Sequence, residues 1–192
     1  MIANARDAAA RGADVRPRTA VTAARIEQGA WTATLADGSE LRAAHVVNCA
    51  GPWAEQVARD LLGLHDAPRL RLVQGAHLVT RRVGSGEDGY MLQQPDGRIV
   101  FLLPYERHFS LIGTTDTPVA APGHAAITAQ ERDYLLAAVN RYLARPVQAS
   151  DIVREFAGIR PLVLEDGKSA RETTRDWKLV AHAGAPATTV VG

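Results

Sequence analysis

The sequence predicts a mixed α/β protein whose middle is a largely antiparallel β-sheet. Three features predict it. Short β-branched and aromatic runs separated by turns recur between Leu70 and Ile112, one strongly periodic helix spans Thr128–Leu143, and at Asn48–Trp53 a strand passes through small residues into a helix. The 192 residues suffice for one ordinary domain or for two small lobes.

From the amino terminus, Ile2, Ala5, Ala8 and Ala9 fall on one helical face and Gly12 is a stop, so a helix opens the chain. Ala13–Arg16 reads as a short strand, and Val21–Arg25, Ala30–Leu35 and Glu40–Ala43 as a β-meander with hairpin chemistry at Asp37-Gly38. His45–Cys49 reads as a short buried strand, followed through Ala50-Gly51-Pro52 by a helix from about Trp53 to Leu62, with Pro52 in the first turn where its missing N–H is no loss. Leu70–Val73, His77–Thr80, Ile99–Leu103 and Phe109–Ile112 supply the central sheet. In the helix over Thr128–Leu143, Thr128 caps, Glu131 completes a capping box, and Leu135, Val139 and Tyr142 form the apolar stripe. Asp151–Ala157 leads into Gly158–Pro161, a polar loop covers Glu165–Glu172, and Lys178–His182 and Thr188–Val191 are strands. The β-branched run that stops at Gly192, and a first helix without an N-cap, read as cut ends.

Composition excludes several classes. Hydrophobic residues make up 46% and charged residues 22%, a globular balance, so disorder is expected only at the ends. Lys and Arg number 22 against 21 Asp and Glu, so the basic excess that a nucleic-acid binder needs is missing. A lone cysteine, Cys49, excludes an internal disulfide, and the six histidines have no metal-ligand spacing. No run of about 18 apolar residues is present, and Met1–Asp7 is not a secretory signal, so a cytoplasmic location is expected.

Few motifs carry chemistry. Gly84-Ser85-Gly86-Glu87-Asp88-Gly89 matches the dinucleotide fingerprint in letters, but its acidic pair would repel phosphate and a strand follows it, so it reads as a surface loop. Asn48–Trp53 serves either the close approach of a nucleotide or an ordinary tight turn. Gly113-Thr114-Thr115-Asp116 is a hydrogen-bonded turn after a strand. Arg160, between Gly158-Ile159 and Pro161, leaves an extended backbone, which suits either anion recognition or a surface ion pair. His77, on an apolar strand, reads by itself as a hydrogen-bonded core histidine. No nucleophile elbow surrounds a serine.

Taken in order, eight stretches resemble the FAD-dependent, quinone-linked glycerol-3-phosphate dehydrogenases. They are Asn4–Ala8, Arg18-Thr19 with Val21, Asn48–Trp53, Gly75-Ala76-His77, Arg98–Phe101, Ile112–Asp116, Gly158–Pro161 and Thr174-Arg175-Asp176. The resemblance implies a D-amino-acid-oxidase-like architecture. Residues 1–68 and 157–192 would belong to an FAD-binding domain, and 69–156 to a substrate-binding β-sheet domain. It further implies that Val21 presents backbone to the adenine, that Ala50 and Gly51 line the adenosine–pyrophosphate side, and that His77 and Arg160 reach the substrate. His77 would take the C2 hydroxyl proton of sn-glycerol 3-phosphate while the hydride passes to flavin N5, giving dihydroxyacetone phosphate. Arg160 would grip substrate oxygens. In such an enzyme quinone accepts the electrons, with the protein peripheral at the inner face of the cytoplasmic membrane.

The family's amino-terminal glycine fingerprint is not in this sequence, and the chain stops where the family continues with Gly and a substrate-binding Lys. The chain alone is therefore expected to be inactive and not to retain FAD. Two other readings stay open: a piece of a related FAD-dependent amine or amino-acid oxidase, and a non-catalytic binding module.

Overall fold

The computed structural model describes residues 2–84, 86–164 and 176–192. Twelve strands and three α-helical segments are present among them, and the chain divides into two units.

The first unit comprises Met1–Cys49, Gln56–Ala67 and Leu179–Val190. Helix α1 (Ile2–Ala10) has none of its residues buried. Residues 13–16 are not a strand: they form no ladder, and the expected β-branched content amounts to Val15 alone. Strands β1 (Val21–Glu27), β2 (Ala30–Leu35) and β3 (Glu40–Ala43) form the antiparallel meander, turned at Gly38 with φ of 83°. Strand β4 (Val46–Asn48) is only partly buried, with Val47 exposed; β12 (Ala187–Val191) lies parallel to it, flanked on its other side by β11 (Lys178–Ala181). Trp31, Ala58, Leu64 and Ala187 form this unit's core, and the Trp31 indole N–H donates to the Pro186 carbonyl at 3.0 Å.

After β4 the expected helix is irregular: a 3-10 turn at Gly51–Trp53, a single α-helical turn α2 (Ala54–Gln56), and a π-helical segment at Val57–Leu61.

The second unit comprises Ala50–Glu55, Pro68–Lys178 and Val191–Gly192. Its sheet runs in the order β10 (Ile152–Val163), β5 (Leu70–Arg81), β8 (Phe109–Gly113), β7 (Ile99–Tyr105), β6 (Tyr90–Gln93), with β9 (Thr117–Val119) paired to the first half of β5. The two short strands expected at 70–73 and 77–80 are one 12-residue strand. The Gln74-Gly75-Ala76 stretch has weak β propensity, but antiparallel pairing with β10 carries the strand across it. Residues 156 and 157 both lie within continuous β10.

Helix α3 (Ala129–Asn140) covers one face of the sheet. Thr128 Oγ1 accepts from Glu131 N at 3.1 Å, and the Glu131 carboxylate accepts from Thr128 N at 3.0 Å, so the expected capping box is formed. Leu135, Ala138 and Val139 pack on Ala76, Leu78, Val100, Leu102 and Ile112. Each fully buried side chain of this size contributes about 1.5–3 kcal/mol. Tyr142, expected in the stripe, lies beyond the helix and is exposed. The bidentate Arg132–Glu155 pair, at 2.8 and 2.6 Å, fastens α3 to β10.

Gly84, Gly86, Glu87, Asp88 and Gly89 of the fingerprint-like motif form coil before β6; Ser85, the 165–172 loop and Thr174-Arg175 lie outside the described residues.

Candidate active site

Successive side chains of a strand point to opposite faces. Ala76 and Leu78 face α3, which leaves Val73, Gly75, His77 and Val79 on the other face of β5. Register then draws one row across five strands. His77 stands opposite Phe156 on β10 and Gly113 on β8; Gly113 stands opposite Phe101 on β7, and Phe101 opposite Met91 on β6. Phe156, Phe101 and Met91 are all exposed, so His77 sits in an open apolar row.

The imidazole stacks on the Phe156 ring with centroids 5.0 Å apart and planes 9° from parallel. On its other side it leans over Gly113, where a Cβ would meet His77 Cδ2 at 2.2 Å. Gly75 performs the same service for Arg160, because a Cβ there would lie 2.2 Å from Nη2. Two glycines in mid-sheet, which weaken strands in themselves, thus clear the space that both side chains occupy.

Arg160 is held rigidly. Its Nη1 donates to Asp116 Oδ1 at 2.9 Å and to the Thr115 carbonyl at 3.4 Å, and its Nη2 donates to Thr114 Oγ1 at 2.8 Å. Those contacts take three of the five guanidinium N–H groups, and the other two have no partner among the described residues. The Gly113–Asp116 segment, legible in the sequence only as a turn, is therefore the clamp on Arg160.

Burial, and after it the Arg160 charge, push the His77 pKa below its ordinary value, so the ring is neutral at pH 7. Its Nδ1 is buried and makes no hydrogen bond among the described residues. A buried ring nitrogen without a partner costs about 1–3 kcal/mol unless something binds it. A neutral imidazole beside a guanidinium can remove a proton from a hydroxyl while the guanidinium holds the negative charge that develops on the oxygen.

The 3-10 turn that carries Ala50 and Gly51 packs against β10. Gly51 has φ of 56°, which favours glycine, and a Cβ there would meet nothing within 4 Å, so its backbone is open to close approach. Val21 heads β1, the edge strand of the meander in the first unit, and is exposed. His77 and Arg160 are thus brought together on one face, with the Ala50-Gly51 turn against the strand that carries Arg160, while Val21 belongs to the other unit. Sequence reasoning missed Phe156, Gly75 and the Asp116 clamp; glycines inside apolar strands were the available signal for close approach.

A family model described as FAD dependent oxidoreductase matches residues 1–192. This chain belongs to the FAD-dependent oxidoreductase family. Within the family it is 37% identical over 200 residues to a glycerol-3-phosphate dehydrogenase of Pseudomonas tolaasii, covering all of this chain and 39% of that protein. It is 38% identical over 200 residues to a D-erythritol 1-phosphate dehydrogenase of Brucella abortus, covering 98% of this chain and 39% of that one. The glycerol-3-phosphate dehydrogenase from Bacillus halodurans, solved in complex with FAD, matches with a TM-score of 0.76 at 27% identity over 97% of this chain and 37% of that chain. The fold is the D-amino-acid-oxidase-like fold of this flavoprotein family. The chain spans about two fifths of the length of the curated relatives it matches.

The residues present fit a flavin nucleotide. The open backbone at Gly51 accepts close approach, the apolar row beside His77 suits a flat ring system, and the orphaned Nδ1 asks for a polar partner.

Proposed function

We propose that this chain is part of a flavoenzyme that oxidises sn-glycerol 3-phosphate to dihydroxyacetone phosphate. One observation carries the reading: a neutral imidazole with an unspent nitrogen shares an open sheet face with a clamped guanidinium. Membership of the FAD-dependent family and the names of the relatives, dehydrogenases of glycerol 3-phosphate and of D-erythritol 1-phosphate, point to a phosphorylated polyol.

In this reading His77 accepts the proton of the C2 hydroxyl, and the C2–O bond becomes a carbonyl as the C2 hydrogen leaves with its electron pair. Bound FAD supplies the two-electron acceptor for that hydride. Arg160 binds substrate oxygens through its two remaining N–H groups, orienting C2 and stabilising the negative charge that develops on the oxygen. Phe156 keeps the imidazole in one plane. Ala50 and Gly51 line the cofactor's phosphate side, and the free edge of β1 at Val21 offers backbone to its adenine. Quinone takes the electrons, with the protein peripheral at the inner face of the cytoplasmic membrane; among the described residues no helix is long and apolar enough to cross one.

The test is steady-state turnover of the full-length flavoenzyme on sn-glycerol 3-phosphate, D-erythritol 1-phosphate and a panel of amino acids, with a quinone or oxygen as acceptor. The reading expects glycerol 3-phosphate to be turned over and quinone to be reduced. Turnover of an amino acid with none of the phosphorylated polyols would overturn it.

A further inference from the structure

One buried carboxylate has no part in the chemistry above. Glu131 is 6% exposed, and five donors converge on it. Oε2 accepts from Thr128 N at 3.0 Å, from Thr128 Oγ1 at 3.1 Å and from Gln74 Nε2 at 3.0 Å. Oε1 accepts from Thr115 Oγ1 at 2.9 Å and from Thr117 Oγ1 at 2.8 Å. A capping box needs only the Thr128 contacts. The other three reach into the sheet, and two of them grip the chain on either side of Asp116.

Thr115 extends the line further, because its Oγ1 accepts from Ala76 N at 2.9 Å, the backbone group beside His77. The segment so fastened is the one whose Thr114 hydroxyl, Thr115 carbonyl and Asp116 carboxylate hold Arg160. Burial would push the Glu131 pKa up, but the hydrogen bonds from Thr128, Thr117, Thr115 and Gln74 outweigh it and bring it below the ordinary value. The ionised carboxylate is an acceptor only, which is what five converging donors require.

We propose that Glu131 is a positioning residue that, through Thr115 and Thr117, fixes the 114–116 segment and so aims the Arg160 guanidinium. Its relevance to turnover rests on the reading of Arg160 as a ligand of substrate oxygens; the positioning itself does not.

The experiment is a histidine side-chain NMR titration of this 192-residue chain, with the His77 resonance assigned by its loss in His77→Asn. Part of the downward pull on His77 is the Arg160 charge, so the resonance reports where the guanidinium sits. The charged groups on that face are Arg160 on β10, Asp116 after β8 and, further along, Arg71 and Arg81 on β5, Arg154 on β10 and Glu106 after β7. In Glu131→Gln one carboxylate oxygen becomes a donor amide facing other donors, the segment loosens, and the His77 midpoint rises toward its ordinary value. Thr117→Val, which removes one arm while leaving the capping box whole, moves it the same way by less, and decides the matter should Glu131→Gln fail to fold. Arg132→Ala also loosens α3 but leaves the midpoint where it is. A midpoint unmoved in the Glu131 and Thr117 variants overturns the proposal, as does an equal rise in Arg132→Ala.

In the full-length flavoenzyme, Glu131→Gln at full flavin loading is expected to lower kcat/KM about 10- to 100-fold, the effect of a small misplacement of a reacting group. A raised midpoint with unchanged kinetics keeps the positioning and removes Arg160 from the substrate site. The two failures are thereby told apart.

Discussion

Two histidines in this chain, His182 and His77, differ in what their ring nitrogens have left to give. His182, in the first unit, is fully engaged: Nδ1 pairs with Asp66 Oδ1 at 2.5 Å and Nε2 with Thr189 Oγ1 at 2.8 Å. Asp66 Oδ2 also accepts from Ala183 N at 3.1 Å, and Thr189 Oγ1 accepts from Asn48 Nδ2 at 3.4 Å. By composition this is an acid–imidazole–hydroxyl line, the arrangement that activates a nucleophile. Yet the Thr189 hydroxyl is 0% exposed and already shared with an amide, so the line fastens β12, β4 and the loop at Asp66 to one another. His77 has the opposite condition: an apolar face, a stacked aromatic ring and a nitrogen without a partner. A satisfied imidazole holds structure. The unsatisfied one, beside a clamped cation, is the base proposed here.

The comparison is broken most directly at His77. His77→Asn in the full-length flavoenzyme is expected to lower kcat by about 10²- to 10⁴-fold, the worth of a positioned general base, with the melting temperature unchanged. A kcat within tenfold of wild type, at full flavin loading, would remove the base from His77.

Arg160→Lys comes next, with an expected loss of about 30- to 1000-fold in kcat/KM, corresponding to roughly 2–4 kcal/mol of transition-state stabilisation. Lysine keeps the charge but not the planar fork, and the Thr114–Asp116 clamp is shaped for the fork. An effect seen only in denaturation curves would make Arg160 a structural ion pair.

Gly75→Ala sharpens the geometry. Its Cβ would lie 2.2 Å from Arg160 Nη2 and 2.6 Å from Thr114 Oγ1, so the guanidinium is pushed out of its clamp, and kcat/KM is expected to fall about 10- to 100-fold. Chemical denaturation and turnover measured on the same preparation check it: lost stability with normal turnover contradicts the site drawn here.

The pH dependence of His77 has a definite sign. Its folded pKa lies below the ordinary value of 6.5, so the unfolded chain binds its proton first as pH falls. This contribution to stability is present above 6.5, declines as pH drops from there toward the folded value, and levels off below it. The acid limb of kcat/KM should accordingly lie below 6.5 and disappear in His77→Asn. An acid limb above 6.5 assigns the base elsewhere.

At the small end, His182→Ala should leave kcat and KM unchanged. Stability should fall by about 1–3 kcal/mol, because buried Thr189 and Asn48 lose their arrangement. A drop in turnover without a drop in stability would turn the comparison around.

Local chemistry was legible in the sequence. The Thr128–Glu131 box, the meander turned at Gly38, and the loop at Gly86–Gly89 before a strand all follow from a few adjacent residues, and the ordered motifs by themselves pointed to the flavoprotein family. Where a short stretch was ambiguous, tertiary pairing decided. Gln74–Ala76 became mid-strand because β10 runs beside it, Ala13–Arg16 stayed coil, and the segment after Pro52 wound as 3-10, α and π turns in succession.

The condition of His77 lay wholly in that second category. Alternation along β5 gives the parity of a side chain but not its neighbours. These come from strands whose partner residues stand 36 and 79 positions away, at Gly113 and Phe156. Only the register of the assembled sheet could put a glycine on one side of the ring, an aromatic on the other and Arg160 within reach of its charge. Read alone on its strand, His77 was a core histidine; the room that Gly113 leaves for its ring and Gly75 leaves for Arg160, on one face, makes it a candidate base.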